Sequence, residues 1–277
     1  MVFIYLPSHH SLELRGRLLL IIVKLGGSVI TNKDRLRSFR RTVCLRLCKE
    51  LRGARNDLIL VHGAGSFGHI LASKGKLQEG FEKGNLSKLK IVARVHRDVR
   101  DLNTKVLGCL EKNRIKGFSV PPYTVGSFSS GKMTEFCPDN FERLMSNGLL
   151  PVTFGDIVPD REITFSICSG DTIMLALSQH FQPEKVIFVA DVDGVYDRDP
   201  KEFSNVKLLE KVAEKNMRSI IAGTRDKDVT GAMKTKLARM IEIARHCENC
   251  IILNGNVAGR LEDAIEGKEV TSTRVVA

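Results

Sequence analysis

Five short apolar runs recur along the 277-residue chain, each followed within three residues by glycine, aspartate or asparagine. Leu18–Val23 precedes Gly26 and Gly27, Asp57–Val61 precedes Gly63, Ala64 and Gly65, and Leu149–Phe154 precedes Gly155. Val186–Ala190 precedes Asp191, and Cys250–Leu253 precedes Asn254 and Gly255. The stretches between the runs carry helical periodicity. Strands that are apolar at almost every position are buried on both faces, and such strands form parallel sheets with helices above and below. The expected fold is therefore α/β, a three-layer αβα sandwich with a mostly parallel central sheet. Ligands of such sheets bind beyond the carboxyl ends of the strands, where these glycines cluster.

No apolar run approaches the roughly 20 residues a membrane span needs, so no membrane partner is expected. The formal charge of +11 suits either nucleic acid or a polyanionic small molecule. Acidic residues interleave with the basic ones and no nucleic-acid-binding motif occurs, which favours the small molecule. The seven cysteines are scattered, unlike a secreted disulfide framework, and point to a reducing, cytoplasmic setting. Cys247 and Cys250 lack the second pair a structural zinc would need; they read as a helix end entering a buried strand. Residues 1–17 read as a poorly ordered arm or an added strand, and 18–277 as one domain with two lobes. The stretch around Gly126–Lys132 reads as a surface hairpin.

Five segments carry chemistry. Lys24-Leu25-Gly26-Gly27-Ser28 offers a phosphate-facing turn, with backbone amides, a hydroxyl and a cation. Lys33 is placed to reach the same anion. His62-Gly63-Ala64-Gly65-Ser66-Phe67-Gly68-His69 reads as a tight loop opening a helix over Ile70–Gly75, an anion-attracting arrangement. There His69 reads as a phosphate donor and His62 as a core histidine. Ser169-Gly170-Asp171 opens a helix to Phe181; Asp171 reads as an N-cap and also as a carboxylate holding two lysines of the phosphate site.

The segment Asp191–Asp197 has the wrong residues for an EF-hand and reads as a turn lining an adenine and ribose pocket, with Tyr196 offering ring and hydroxyl. Thr230 and Gly231 read as the N-cap and close-approach position of a helix over Ala232–Ala244. Lys236 lies on the face that looks back to its N-terminus; Lys234 does not. Two coincidences are rejected. Gly126–Lys132 has Walker A spacing, but Met133 replaces the magnesium-binding hydroxyl. His96-Arg97-Asp98 resembles the protein-kinase catalytic loop, yet lies within the helical pattern Leu86–Leu110.

Together, in this order, these segments resemble the amino acid kinase superfamily from about residue 18 to the C-terminus. GSFGH at 65–69, VHRD at 95–98, FGD at 154–156 and NGN at 254–256 look like the isopentenyl phosphate kinases within it. The resemblance implies that Lys24, Lys33 and Lys236 contact the phosphates of ATP, with Gly26, Gly27 and Ser28 as the phosphate loop. It implies that His69 binds the acceptor phosphate and that Gly63, Ala64, Gly65 and Gly155 give backbone contacts. Asp191, Gly194, Tyr196 and Gly231 match the nucleotide pocket. Magnesium with ATP, isopentenyl phosphate as acceptor and a homodimer follow from the same resemblance, as do an acceptor lobe over about 18–165 and a nucleotide lobe over about 166–277. Two departures stand out: Ala64 and Ala232 replace glycines of the family pattern.

A phosphate acceptor is already an oxyanion, so transfer needs alignment and suppression of charge repulsion rather than a strong base. An apolar slot for its alkyl tail is expected from Leu89, Val92, Ala93 and Val99, walled by Phe67 and Phe165. Two other readings compete: a sister kinase for fosfomycin or another small phosphate or phosphonate, since kinases of that type share His69, and a non-catalytic nucleotide sensor or nucleic-acid binder.

Overall fold

Strand residues that alternate between two helical layers, both apolar, explain the unbroken runs. The computed structural model describes residues 19–54, 58–81, 85–198, 203, 205–215, 217 and 227–277, with backbone alone for 227–234. The expectation for residues 1–17 lies outside the described residues. In chain order the first half holds β1 (Ile21–Leu25), α1 (Gly27–Ile30), α2 (Arg41–Glu50), β2 (Leu58–His62), α3 (Gly65–Lys74), α4 (Leu86–Lys112), β3 (Gly117–Ser119), β4 (Gly126–Ser129), β5 (Lys132–Phe136) and α5 (Asp139–Ser146). There follow β6 (Leu150–Phe154), β7 (Asp156–Asp160), β8 (Thr164–Cys168), α6 (Gly170–Phe181), β9 (Lys185–Ala190), β10 (Lys211–Val212), α7 (Lys227–Ala244), β11 (Asn249–Asn254), α8 (Arg260–Ile265) and β12 (Ser272–Val275).

Eight strands form one sheet in the order β10-β12-β11-β9-β1-β2-β6-β3. The run from β11 to β3 is parallel throughout, and β12 turns antiparallel against β11. The period-two rule sorts the side chains of β1. Ile21, Val23 and Leu25 join the core shared with α2, α4 and α8, while Ile22 joins the opposite core with α6 and α7. Lys24 shares the face of Ile22 and so points toward α6. A third, smaller cluster of Leu77, Val92, Val95, Val99, Phe154 and Ile157 lies between α4 and β7.

Several boundaries differ from the sequence reading. Leu19 is exposed and β1 starts at Ile21, where Leu58 and Lys185 first supply partners on its two sides. The strand runs on through Lys24 and Leu25, so Lys24 belongs to the ladder rather than to the turn after it. Helix α3 begins at Gly65, five residues before Ile70, because the amide of Ser66 finds Thr31 Oγ1 at 3.0 Å and Gly68 lets the helix lie close to Val95 and Val99. Helix α7 begins at Lys227, which puts Thr230 and Gly231 inside the helix rather than at its cap. The Ser169-Gly170-Asp171 segment follows β8 of a two-stranded hairpin with β7, not a strand of the main sheet.

Gly126–Lys132 does form a hairpin, with Ser130 and Gly131 at positive φ. The Asp160 carboxylate accepts from the amides of Ser130 and Gly131 at 3.0 and 2.9 Å. His96-Arg97-Asp98 lies within α4, and the chain passes from α7 through Cys247 to Cys250 on β11.

Candidate active site

Lys24 is 8% exposed, on a strand whose five residues are all buried, and a charge there needs a counter-charge. Asp171 provides it through a direct ion pair from the first turn of α6. Asp171 is free for this because Ser169 caps the helix instead, its Oγ accepting from the Thr172 amide at 3.1 Å. Burial pushes the Asp171 carboxyl up, but the charge and hydrogen bond of Lys24, with Lys236 and Arg239 behind, hold it below the usual carboxylate range. Gly170 leaves room for the stem of Lys24: a Cβ there would stand 3.2 Å from Lys24 Cε.

The two glycine segments interlock backbone to backbone. A Cβ on Gly27 would meet the Gly65 nitrogen at 2.5 Å, and one on Gly63 would meet the Gly27 nitrogen at 2.7 Å. A Cβ on Gly26 would strike the Val189 carbonyl at 2.7 Å, and Gly65 itself sits at φ +49. Gly155 donates to His62 O at 3.0 Å, and its Cα faces the amide of Gly170. The carboxyl ends of β1, β2 and β6 and the start of α6 therefore meet at one point. Ala64 does not crowd it. Its methyl packs against the Leu77–Val99 cluster, in space that Gly68 leaves open.

His62 stays in the core. It stacks on Phe154, donates from Nδ1 to Gly63 O at 3.1 Å, and accepts at Nε2 from Asn103 at 3.2 Å. Asn103 in turn accepts from Ser119 Oγ at 2.7 Å. Full burial lowers the His62 pKa to about 4, against the smaller upward pull of the Gly63 carbonyl. The imidazole is thus a neutral strut under the second glycine segment. His69 lies one turn into α3 rather than at the end of a loop, with its edge reaching solvent. Its pKa is lowered by desolvation in the concave site and then by Lys236 and Lys24, with Asp171 opposing.

Lys33 pairs with Asp191 Oδ2 at 2.7 Å, and Asp191 Oδ1 also accepts from Ser28 Oγ at 2.7 Å. Those bonds outweigh the upward push of burial and hold Asp191 below the ordinary range. Lys236 lies exposed on α7. Crowding by the site's walls, then the charge of Lys24, lowers its pKa, with Asp171 and Asp191 opposing and Lys33 adding to the repulsion. Three lysines against two carboxylates leave a net positive pocket of amides and ammonium groups, a donor set suited to phosphate oxygens. Gly194 packs on β12, where a Cβ would stand 2.3 Å from Thr273 Oγ1. Tyr196 donates to Asp193 at 3.3 Å. The backbone of Gly231 lies in α7, the helix of Lys236.

Sequence reasoning missed two ion-paired groups nearby. Asp156 has no exposed side-chain surface and accepts from Arg100 at 2.6 Å, with His96 at 3.4 Å. Burial pushes its carboxyl up against the pull of Arg100 and His96. Asp193 is held by Arg260 of α8, which keeps it below the usual range. The FGD run contained Asp156, but only its buried neighbours mark it as paired. Of the expected slot residues, Val92 and Phe165 line an apolar cleft with Leu77, Phe81 and Ile157, and Phe81 meets Phe165 edge-on. Phe67 and Val99 are fully buried in the core and Ala93 is exposed. Phe67 turns inward because α3 starts early, which swings its ring between the sheet and α4.

Among the described residues no group of three or more His, Cys, Asp or Glu side chains is placed to hold a metal ion. The family model described as the amino acid kinase family matches residues 20–254. Isopentenyl phosphate kinase of Methanothermobacter thermautotrophicus is 34% identical over 92% of this chain and 98% of its own. The enzyme of that name from Thermoplasma acidophilum is 31% identical over 90% and 97%. Among solved structures, an isopentenyl phosphate kinase superposes with a TM-score of 0.79 at 31% identity, covering 92% of this chain and 99% of that one.

Proposed function

This chain belongs to the amino acid kinase family, and from that premise we propose that it transfers the γ-phosphoryl group of ATP to isopentenyl phosphate, giving isopentenyl diphosphate and ADP. The observation that carries this reading is the meeting of Lys24, Lys236 and His69 around an Asp171 already committed to Lys24. A carboxylate held deprotonated by an ion pair is a poor general base, and an acceptor that arrives as an oxyanion needs none. Lys24 and Lys236 draw off the charge that gathers on the transferred phosphoryl group, and Lys33 contacts the donor phosphates from the other side. Amides of Gly27, Ala64 and Gly65 orient the two anions in line, whereas those of Gly26, Gly63 and Gly155 are taken up by the carbonyls of Val189, Leu25 and His62 and the Ser28 hydroxyl by Asp191, so these four shape the walls of the site. His69 binds the acceptor phosphate. Its pKa is lowered in the free site, and the charge of an approaching phosphate pulls it back up.

Asp171 acts on the lysines, not on substrate. Asp191, Gly194, Tyr196 and Gly231 border the nucleotide. The tail of the acceptor is directed to the cleft of Leu77, Phe81, Val92, Ile157 and Phe165, which holds about 10 Å³ as it stands and must widen when the tail enters. Magnesium would supply further neutralisation of nucleotide phosphate charge; because Asp171 and Asp191 are each paired with a lysine, it would be carried by the nucleotide rather than by the protein. The acceptor lobe spans about 18–165 and the nucleotide lobe about 166–277. A homodimer and a cytoplasmic setting belong to the same reading.

The test is ADP release with magnesium-ATP and a panel of isopentenyl phosphate, fosfomycin, uridylate and acetylglutamate. Selective turnover of isopentenyl phosphate, lost by about 10²-fold or more in His69→Ala, is the expected outcome. Preference for fosfomycin would keep the donor site and overturn the acceptor; nucleotide binding without turnover of any acceptor would favour a sensor.

A further inference from the structure

Lys33 rides on a short loop between α1 and α2, and more than half of its side chain is exposed. Its ion pair with Asp191 at 2.7 Å holds the ammonium tip but not the loop that carries it, and misplacement of a charge by about 1 Å can cost on the order of 10²-fold in rate. The loop is closed at its base by the Thr31–Phe39 bridge and by the Asn32 amide to Ser38 O at 2.9 Å. Its far side is hooked to α3, through the Arg37 amide to Ser66 O at 3.3 Å and the Ser38 amide to Ser66 Oγ at 3.2 Å.

Arg37 is where the loop is held most firmly. Its backbone is left-handed at φ 55, a strained state for a non-glycine residue that persists only where surroundings over-determine it. Its guanidinium lies over the Phe67 ring at 5.9 Å. It donates to Asp101 at 2.8 Å and stands 3.3 Å from Asp98. Asp98 has no exposed side-chain surface, and its other cations, Arg94 and Arg97, come from its own helix. A buried carboxylate is costly unless it is paired, and the cation reaching Asp98 from another segment is Arg37. The same α4 contributes Val92 and Lys88 to the apolar cleft. One rigid helix therefore touches both the acceptor wall and the loop of Lys33.

We propose that Arg37, clasped by Asp98 and Asp101 of α4, is the positioning residue that fixes Lys33 for contact with the donor phosphates. The inference rests on the kinase reading above. Arg37 touches no reacting atom and acts through Lys33.

A double-mutant cycle separates this role from general support of the fold. Arg37→Ala is expected to lower kcat about 10- to 100-fold with little change in the KM for the acceptor. In a Lys33→Ala background the same change is expected to cost less than about twofold. Arg37→Lys, which can serve only one carboxylate at a time, recovers part of the loss. Equal losses in both backgrounds, or wild-type kcat in Arg37→Ala, would overturn the proposal. Should Arg37→Ala fail to fold, Asp101→Asn leaves buried Asp98 in place and must give a smaller loss with the same non-additivity. Amide exchange supplies an arm that needs no turnover. The Asn32 and Ser38 amides are expected to exchange at least about tenfold faster in Arg37→Ala, and unchanged protection would sink the anchoring. If the wild type turns over none of the acceptors, the kinase reading fails by itself, while exchange still decides whether Arg37 holds the loop.

Discussion

At Lys24 a charged side chain occupies a strand position that the sheet otherwise reserves for apolar residues, so its partner decides whether the strand is stable. Asp171→Asn leaves that ammonium group buried without a counter-charge. Urea unfolding should record a loss on the order of 3 kcal/mol, together with loss of activity. The double variant Lys24→Met, Asp171→Leu should regain most of the stability and none of the activity, because an apolar pair of similar volume removes the desolvation cost. Equal stability of wild type and Asp171→Asn would mean the pair is solvated. His62 makes a second prediction at this scale. Its folded pKa is about 4, so below its ordinary value of 6.5 the unfolded chain takes up a proton that the folded chain refuses. Its contribution to stability is therefore intact above about pH 6.5 and falls by about 3 kcal/mol as pH drops toward 4. His62→Gln should flatten that slope. His69 differs because the negative charge of a bound phosphate would oppose what lowers its pKa. Calorimetry in buffers of unlike ionisation enthalpy should find proton uptake when isopentenyl phosphate binds near neutral pH, and no uptake would place His69 away from the acceptor phosphate. Lys24 and His69 are legible as single residues because each stands among small residues, and Lys236 because helical spacing separates it from Lys234. The pairing of Lys24 with Asp171 is legible only as one option, since Asp171 is a good helix cap and the choice of Ser169 as the cap is a matter of backbone geometry.

Among the elements, the two glycine segments behave as one part. Gly27→Ala places a methyl 2.5 Å from the Gly65 backbone, and backbone cannot step aside as a side-chain tip can. A destabilisation of about 1–3 kcal/mol is expected, with nucleotide affinity falling alongside. Gly108 is the control. It lies in the interior of α4, where an added Cβ would meet nothing within 4 Å, so Gly108→Ala should raise stability by about 0.5–1 kcal/mol. Thermal unfolding of the two variants checks both signs at once. The contrast also says why helix starts are hard to place from sequence. Gly65-Ser66-Phe67-Gly68 has the composition of a loop, and nothing local reveals that Thr31 Oγ1, 35 residues away, satisfies the Ser66 amide in the first turn of α3. Phe67 reads as a wall of the tail cleft for the same reason. Once α3 begins at Gly65, the ring points into the core, and the cleft keeps the expected Phe165 and gains Phe81 and Ile157.

For the whole molecule, the order of layers follows from the apolar runs alone, because strands buried on both faces admit few arrangements other than a covered parallel sheet. The edges are less legible. The strands β3, β10 and β12 are short or polar, so their places in the sheet depend on neighbours and not on their own pattern. The site is assembled from the carboxyl ends of β1, β2, β6 and β9 together with α3, α6 and α7, which explains why its residues are spread from Lys24 to Lys236. That assembly concentrates positive charge where two anions must meet, as phosphate-to-phosphate transfer requires. The most direct measurement is phosphorus NMR of the protein mixed with magnesium-ATP and isopentenyl phosphate. The monophosphate resonance should disappear while two coupled diphosphate resonances rise in step with those of ADP. An unchanged monophosphate resonance, with ATP either intact or hydrolysed to inorganic phosphate, would contradict that transfer.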